Sequence, residues 1–184
     1  MTTKTLTIGE AVKSMNFLAT NFMETNELDR EALEISSKAI SKNLLIRDYF
    51  MGMPRDFGLP FMVSLCKKMI SEVDSSELLD LYAIYSAFLY ENGESELSFY
   101  NLNKALEIND KHPLTALLVR VYEHAWEASS FSEMRSAIHS KVIAETKKYA
   151  KDEIYNKGEA PPSAGFFLYA ATAKSKKIMK MPLL

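Results

Sequence analysis

Cysteine is almost absent from this sequence, and Cys66 is the only residue of that type. A lone thiol cannot form an intramolecular disulfide, and the cysteine and histidine spacings typical of zinc sites are missing. The sequence therefore fits a reducing compartment, which predicts a cytoplasmic location. Cys66 itself is expected to lie in the core.

Long apolar runs are missing as well. The longest, residues 166–173, is far shorter than the roughly 20 residues that a membrane-spanning helix requires. Near the N-terminus, Lys4, Glu10 and Lys13 interrupt the apolar positions that a signal peptide would need. We therefore expect a soluble chain that has no membrane partner.

Glycine is scarce, with six residues in the whole chain, and the motifs that depend on it are missing. There is no phosphate-binding glycine-rich loop, no nucleophile elbow and no kinase motif. The histidines, His112, His124 and His139, lack the one-turn pairing and the carboxylate pattern of a metal site. We expect a protein that is not an enzyme and that has no cofactor and no metal.

Basic side chains are concentrated towards the C-terminus. Residues 1–140 contain 13 Lys and Arg against 20 Asp and Glu, whereas residues 141–184 contain 9 against 4. The tail, residues 166–184, begins with an apolar run and continues with four lysines: Lys174, Lys176, Lys177 and Lys180. Such a tail can bind the chain's own acidic part, or an acidic or phosphate-rich partner such as a nucleic acid. Both alternatives stay open.

Apolar residues recur at helical spacing in every long segment, and no segment shows the strict alternation of a half-buried strand. The sequence predicts an all-α fold, a compact helical bundle of about six to eight helices. Residues 1–165 should form a single domain, which the tail follows. Caps and breakers place helices at residues 7–24, 29–51, 60–72 and 131–155, a hairpin at 76–109, and another helix that begins at Pro113.

Residues 51–60 contain two glycines and two prolines, which predict a loop. Two Arg-Asp pairs, Arg47-Asp48 and Arg55-Asp56, bracket this loop. They could bind a ligand, but caps and local salt bridges are the favoured interpretation. The methionines around the loop are expected to fill the core. They are Met51, Met53, Met62 and Met69.

Two helical segments joined by Asn92-Gly93 make up the predicted hairpin. Residues 79–112 resemble one tetratricopeptide repeat, a helix–turn–helix unit of 34 residues with fixed large and small positions. The large positions are Tyr82, Tyr85, Leu89 and Leu102, and the small ones are Ser86, Ser98 and Ala105. The hairpin aromatics are expected to lie in the core rather than to form a base-stacking platform. They are Tyr82, Tyr85, Tyr90, Phe99 and Tyr100.

The repeat resemblance implies a groove on the first helix of the hairpin that binds a peptide or a partner helix. Its positions would be Asp80, Ala83, Ala87, Tyr90 and Glu91, a small and partly acidic face that suits a basic or amphipathic segment. A single repeat cannot bury both of its faces, and about three are usually needed. A protein partner or a homodimer is therefore expected, with the remaining helices of the chain as the alternative cover for those faces.

Residues 82–126 also resemble the C-terminal helical half of a domain-of-unknown-function family from actinobacteria. This resemblance brings no activity with it. The preferred hypothesis is a protein–protein interaction module or small regulator that binds its partner through a helical groove. The alternative is a regulator or inhibitor encoded by a phage or mobile element, acting on a nucleic acid or a nucleic-acid enzyme through the basic tail.

Overall fold

Helices alone make up the regular structure of residues 6–155, the part of the chain that the computed structural model describes. Eight α-helices of nine or more residues and one single-turn α-helix follow one another, without a strand in this range. They are α1 (Ile8–Thr25), α2 (Arg30–Lys42), α3 (Leu44–Gly52), α4 (Pro54–Phe57), α5 (Leu59–Glu72), α6 (Leu78–Glu91), α7 (Ser95–Ile108), α8 (Pro113–Glu123) and α9 (Ala128–Tyr155). A 3₁₀ turn, Ser75–Glu77, precedes α6. The predicted all-α bundle is confirmed.

Capping residues set several helix ends where the sequence predicted them. The Thr7 hydroxyl accepts the Glu10 amide at 3.1 Å, and the Glu10 carboxylate accepts the Thr7 amide at 3.1 Å. This reciprocal pair satisfies two amides that the first turn of α1 leaves without helical partners. At the other end of a helix, Gly93 adopts φ 84° after α6, a left-handed conformation that closes the turn into α7.

Two predicted boundaries were wrong. Residues 29–51 form two helices, because Asn43 has extended backbone angles and its side chain accepts the amides of Leu45 and Ile46. The predicted loop at residues 51–60 is largely helical. Pro54 is the first residue of α4, because a missing amide costs nothing in the first turn of a helix, and Pro60 lies in the first turn of α5 as predicted.

Helix α6 lies in the middle of the bundle and packs against α2, α5, α7, α8 and α9. Helix α9 packs mainly against α3 and α1. The four methionines around α3 and α5 are fully buried, as predicted. The prediction that all the hairpin aromatics are buried was wrong for Phe99 and Tyr100, which are exposed on α7.

None of the helices within residues 6–155 is long and apolar enough to cross a bilayer. The last ten residues of the predicted domain, 156–165, and the tail at 166–184, with its four lysines, lie outside the described residues.

Candidate functional site

The face of α6 that the repeat resemblance assigns to a partner lies largely inside the protein. Asp80, Ala83 and Ala87 are buried, and the side chain of Glu91 is 1% exposed. Tyr90 is partly buried, and its hydroxyl donates to a backbone carbonyl just beyond α8. Other helices of the same chain therefore cover most of this face, and a partner would reach it only after those helices move.

Asp80 belongs to a buried ion cluster that joins α3, α6 and the start of α8. The Arg47 guanidinium lies 3.3 Å from an Asp48 oxygen and 3.8 Å from an Asp80 oxygen, and its side chain is 1% exposed. His112, directly before α8, approaches the same Asp80 oxygen at 3.3 Å. Arg47 and Asp48 thus form the local salt bridge that the sequence favoured, but the pair is buried in the core and also links α3 to α6 through Asp80.

Glu91, at the end of α6, is paired with Arg135 of α9. One carboxylate oxygen of Glu91 accepts a hydrogen bond from Nε of Arg135, and the other oxygen accepts one from Nη2, each at 2.8 Å. Arg135 also donates to the Met51 carbonyl at 3.3 Å and lies 6.0 Å from the centre of the Phe88 ring. A bidentate pair that is buried on both sides fixes the position and direction of α9, because loss of either partner would leave a buried charge.

One turn further along α9, His139 is buried against α3. Its Nε2 lies 3.3 Å from a carboxylate oxygen of Asp56, whereas its Nδ1 is buried without a hydrogen-bond partner. The proton of the neutral ring therefore belongs on Nε2, where an acceptor is present. Burial lowers the pKa of His139, and the hydrogen bond to Asp56 opposes this effect only in part.

The close packing of His139 depends on Gly52, the last residue of α3. A Cβ atom at position 52 would lie 1.8 Å from Nδ1 of His139. The ring therefore lies directly against the backbone of Gly52, and His139 with Asp56 holds α9 against α3 and α4. The neighbouring Arg55 donates to the Ser140 hydroxyl at 2.7 Å, so the predicted Arg55-Asp56 pair makes contacts far along the chain instead of a local cap.

The open surface of α7 carries an unusual share of large apolar side chains. Seven such side chains are exposed within residues 6–155, and four of them belong to α7: Leu97 at 42%, Phe99 at 46%, Tyr100 at 59% and Ile108 at 48%. Three of these four share one side of the helix, because Tyr100 comes three residues after Leu97 and Ile108 comes eight residues after Tyr100. We call the surface formed by Leu97, Tyr100 and Ile108, with the exposed Glu94 and Glu96, the α7 face.

A shallow concavity of about 500 Å³ lies at the start of the α7 face. Its lining is Gly93, Glu94, Ser95, Glu96, Leu97 and Tyr100. Two carboxylates therefore lie beside two large apolar side chains. Such a surface suits a segment that carries both apolar and basic residues.

Behind the α7 face, the helix is held by a buried hydroxyl network. The Ser86 hydroxyl donates to the Ser98 carbonyl at 2.9 Å, and the Ser98 hydroxyl donates to the Ser86 carbonyl at 2.8 Å. The Tyr122 hydroxyl lies 2.8 Å from Ser86 Oγ, and burial raises the pKa of Tyr122 to about 12. This reciprocal bonding joins α6, α7 and α8, so the α7 face has a rigid support.

Comparisons of the chain with protein-family models, with curated proteins and with solved structures give no match. The resemblance of residues 79–112 to a tetratricopeptide repeat therefore stays a prediction, and the structure shows α6 and α7 as an αα-hairpin. Within residues 6–155, no group of three or more His, Cys, Asp and Glu side chains is arranged to hold a metal ion.

Sequence reasoning missed Arg135, His139 and the exposed apolar side chains of α7. The pairs Glu91–Arg135 and Asp56–His139 join residues 44 and 83 positions apart, and no local pattern encodes such a distance. The α7 face had a signal that could have been read. Leu97 and Tyr100 lie about 140° and about 160° around the helix from Leu102, so a single buried stripe could not include all three.

Proposed function

We propose that this protein is a non-enzymatic interaction module that binds a partner protein through the α7 face. The observation that carries the proposal is the concentration of exposed large apolar side chains on one side of α7, which holds three of the seven within the described residues. A contiguous exposed apolar surface on a folded protein commonly marks an interaction site. The α7 face replaces the α6 groove as the proposed site, because the α6 face is already covered.

The anatomy of the α7 face supports this proposal. Tyr100 is the most exposed of the large apolar side chains, and tyrosine is enriched among residues that dominate binding energy. Lys104 lies 5.6 Å from the Tyr100 ring and 3.2 Å from Glu107, so this lysine already has partners on its own helix. The result is an aromatic centre with charged groups around it, as in many protein interfaces.

The partner that fits is a helical or extended segment with apolar side chains and one or more Lys or Arg residues. Its apolar side chains would cover Leu97 and Tyr100, and its cations would lie near Glu94 and Glu96. The charge of the described residues supports this choice, because residues 6–155 contain 16 Lys and Arg against 23 Asp and Glu. Such a body repels nucleic acid and attracts basic segments.

The test compares Tyr100→Asp with Asn103→Asp, a matched change at another exposed position of α7. Each substitution adds one negative charge to the surface of the same helix. Tagged wild type and both variants are purified from the native host at moderate salt, and the bound protein and nucleic acid are quantified by mass spectrometry. The proposal predicts a polypeptide that is recovered with wild type and with Asn103→Asp, and whose recovered amount falls at least tenfold with Tyr100→Asp. That result would support binding through the α7 face.

The same polypeptide is then purified and titrated against the three proteins by calorimetry. Equal affinity for wild type and Tyr100→Asp would refute the proposal. Recovery that depends on nucleic acid and is equal for all three proteins would instead favour the regulator hypothesis. The melting temperatures of the two variants should match that of wild type, because both side chains are exposed.

A further inference from the structure

Helix α9 lies on the rest of the chain as a ligand helix lies in a groove. Its buried side chains recur every three or four residues along one side, and they contact a surface built by α1, α3 and α6. They are Phe131, Met134, Arg135, Ile138, His139, Val142 and Thr146. Helices that bind as separate peptides use the same spacing of anchors.

The groove under α9 specifies its occupant through polar contacts. Glu91 is 1% exposed and needs a cation that meets both of its oxygens, which Arg135 supplies. Asp56 accepts from an imidazole that fits only because position 52 is a glycine. A helix without this arginine would leave the buried Glu91 carboxylate unpaired, and one without the histidine four residues later would leave the half-exposed Asp56 without its donor. A second copy of this chain supplies such a helix.

The connection between α8 and α9 is short and contains a strained residue. Residues 124–127 join the two helices, and Ala125 adopts φ 44°, in the left-handed region. The Trp126 amide donates to the Val121 carbonyl and the Ala125 amide to the Tyr122 carbonyl, each within 3.1 Å. This hydrogen-bonding pattern favours glycine at the left-handed position.

The same chain shows the unstrained version of this turn after α6. There the Glu94 amide donates to the Leu89 carbonyl, the Gly93 amide donates to the Tyr90 carbonyl, and Gly93 holds the left-handed position. An alanine in that conformation has a clash of its Cβ that glycine lacks. The turn that leads into α9 therefore gains more from opening than the turn after α6 does.

We infer that α9 exchanges between two copies of this protein, so that each copy places its α9 in the groove of the other. The contacts of Arg135 and His139 are the same in the closed and exchanged forms, while Ala125 leaves the left-handed region when the connection opens. Opening gives up the hydrogen bond from the Tyr90 hydroxyl to the Trp126 carbonyl. Exchange should therefore require refolding or high protein concentration. This inference does not depend on the α7 face.

Charge reversal at the Glu91–Arg135 pair provides the test. Glu91→Arg and Arg135→Glu each place like charges together when α9 closes on its own chain. If the two variants are unfolded in urea and refolded as a mixture, exchange gives a heterodimer in which both pairs are matched. Native mass spectrometry should then show a species of twice the 20.9 kDa chain that contains one copy of each variant. Wild type mixed with either variant should give no such species.

The double variant Glu91→Arg/Arg135→Glu shows whether the reversed pair works within one chain. If it folds and the mixture of single variants still gives no heterodimer, the inference is overturned. If it does not fold, the inference is tested instead by two single substitutions at Ala125 in the otherwise wild-type chain. Ala125→Val disfavours the left-handed turn and should raise the dimer fraction after refolding several-fold above that of Ala125→Gly. Equal dimer fractions for these two variants would also overturn the inference.

Discussion

Replacing Gly52 by alanine tests how closely α9 packs on α3. Gly52 has ordinary helical backbone angles, so the change causes no strain of its own. The new Cβ would lie 1.8 Å from Nδ1 of His139 and 2.4 Å from Cγ of the same ring. His139 cannot simply rotate away, because the Asp56 carboxylate holds it and the Tyr49 ring lies 5.7 Å from its own. Helix α9 must therefore shift.

Two opposing effects set the size of the loss. Alanine favours the helix over glycine by at most about 1 kcal/mol. Overpacking a tight contact costs about 1–3 kcal/mol or more, and we take about 3 kcal/mol because the ring is held on two sides. The free energy of unfolding should therefore fall by about 2 kcal/mol. In a chain of this size that lowers the melting temperature by about 4–8 °C.

Thermal unfolding followed by circular dichroism should be measured for Gly52→Ala, His139→Ala and the double variant. Once the ring is absent, Gly52→Ala should be neutral or raise the melting temperature, because only the gain in helix propensity remains. An equal loss in both backgrounds would refute the packing argument. Gly58→Ala is the control. Gly58 has φ 86° and open space around its Cβ position, so its cost should be the same with and without His139.

Three further predictions follow from single contacts. Burial lowers the pKa of His139, so the unfolded chain binds a proton on this imidazole more readily than the folded chain does. The free energy of unfolding should therefore fall as the pH drops below about 6.5. Urea denaturation at several pH values should show a smaller fall for His139→Gln than for wild type. Ala125→Gly should raise the free energy of unfolding by about 0.5–1 kcal/mol and Gly93→Ala should lower it by a similar amount, because each changes the residue at a left-handed position. In the same assay, changes of equal sign would contradict this reasoning. Ala105→Trp should lower the free energy of unfolding by about 1–3 kcal/mol or more, whereas Lys104→Trp should change it little, because Ala105 is fully buried and Lys104 is not. Equal melting temperatures for the two variants would show that Ala105 is not at a tight contact.

The helices could be predicted where local chemistry decides their ends. Thr7 and Glu10 cap α1 through contacts within one turn, and Pro113 begins α8 because its missing amide is tolerated there. The break at Asn43 was missed because the apolar pattern runs through it without glycine or proline. Pro54 was taken as a sign of a loop, although it begins α4, whereas Pro60 was correctly placed in the first turn of α5.

The candidate site was harder to predict because it depends on which helices meet. The repeat resemblance assigned α6 residues to an open groove, a role that assumes a neighbouring repeat or a partner. In the structure α9 and α3 pack there instead, through Glu91–Arg135 and through Arg47 with Asp80. Charge and spacing made Glu91 noticeable in the sequence, but they could not show that its cation comes from the same chain.

The burial of Cys66 gives this protein a built-in reporter of how often its core opens. The thiol is fully buried on α5, and burial raises its pKa, so the reactive thiolate does not form while the core is closed. An alkylating reagent would modify it only at the rate set by transient opening, and no other cysteine in the sequence competes for the reagent. The labelling rate of the unmodified wild-type chain therefore measures a conformational fluctuation directly, without an engineered probe.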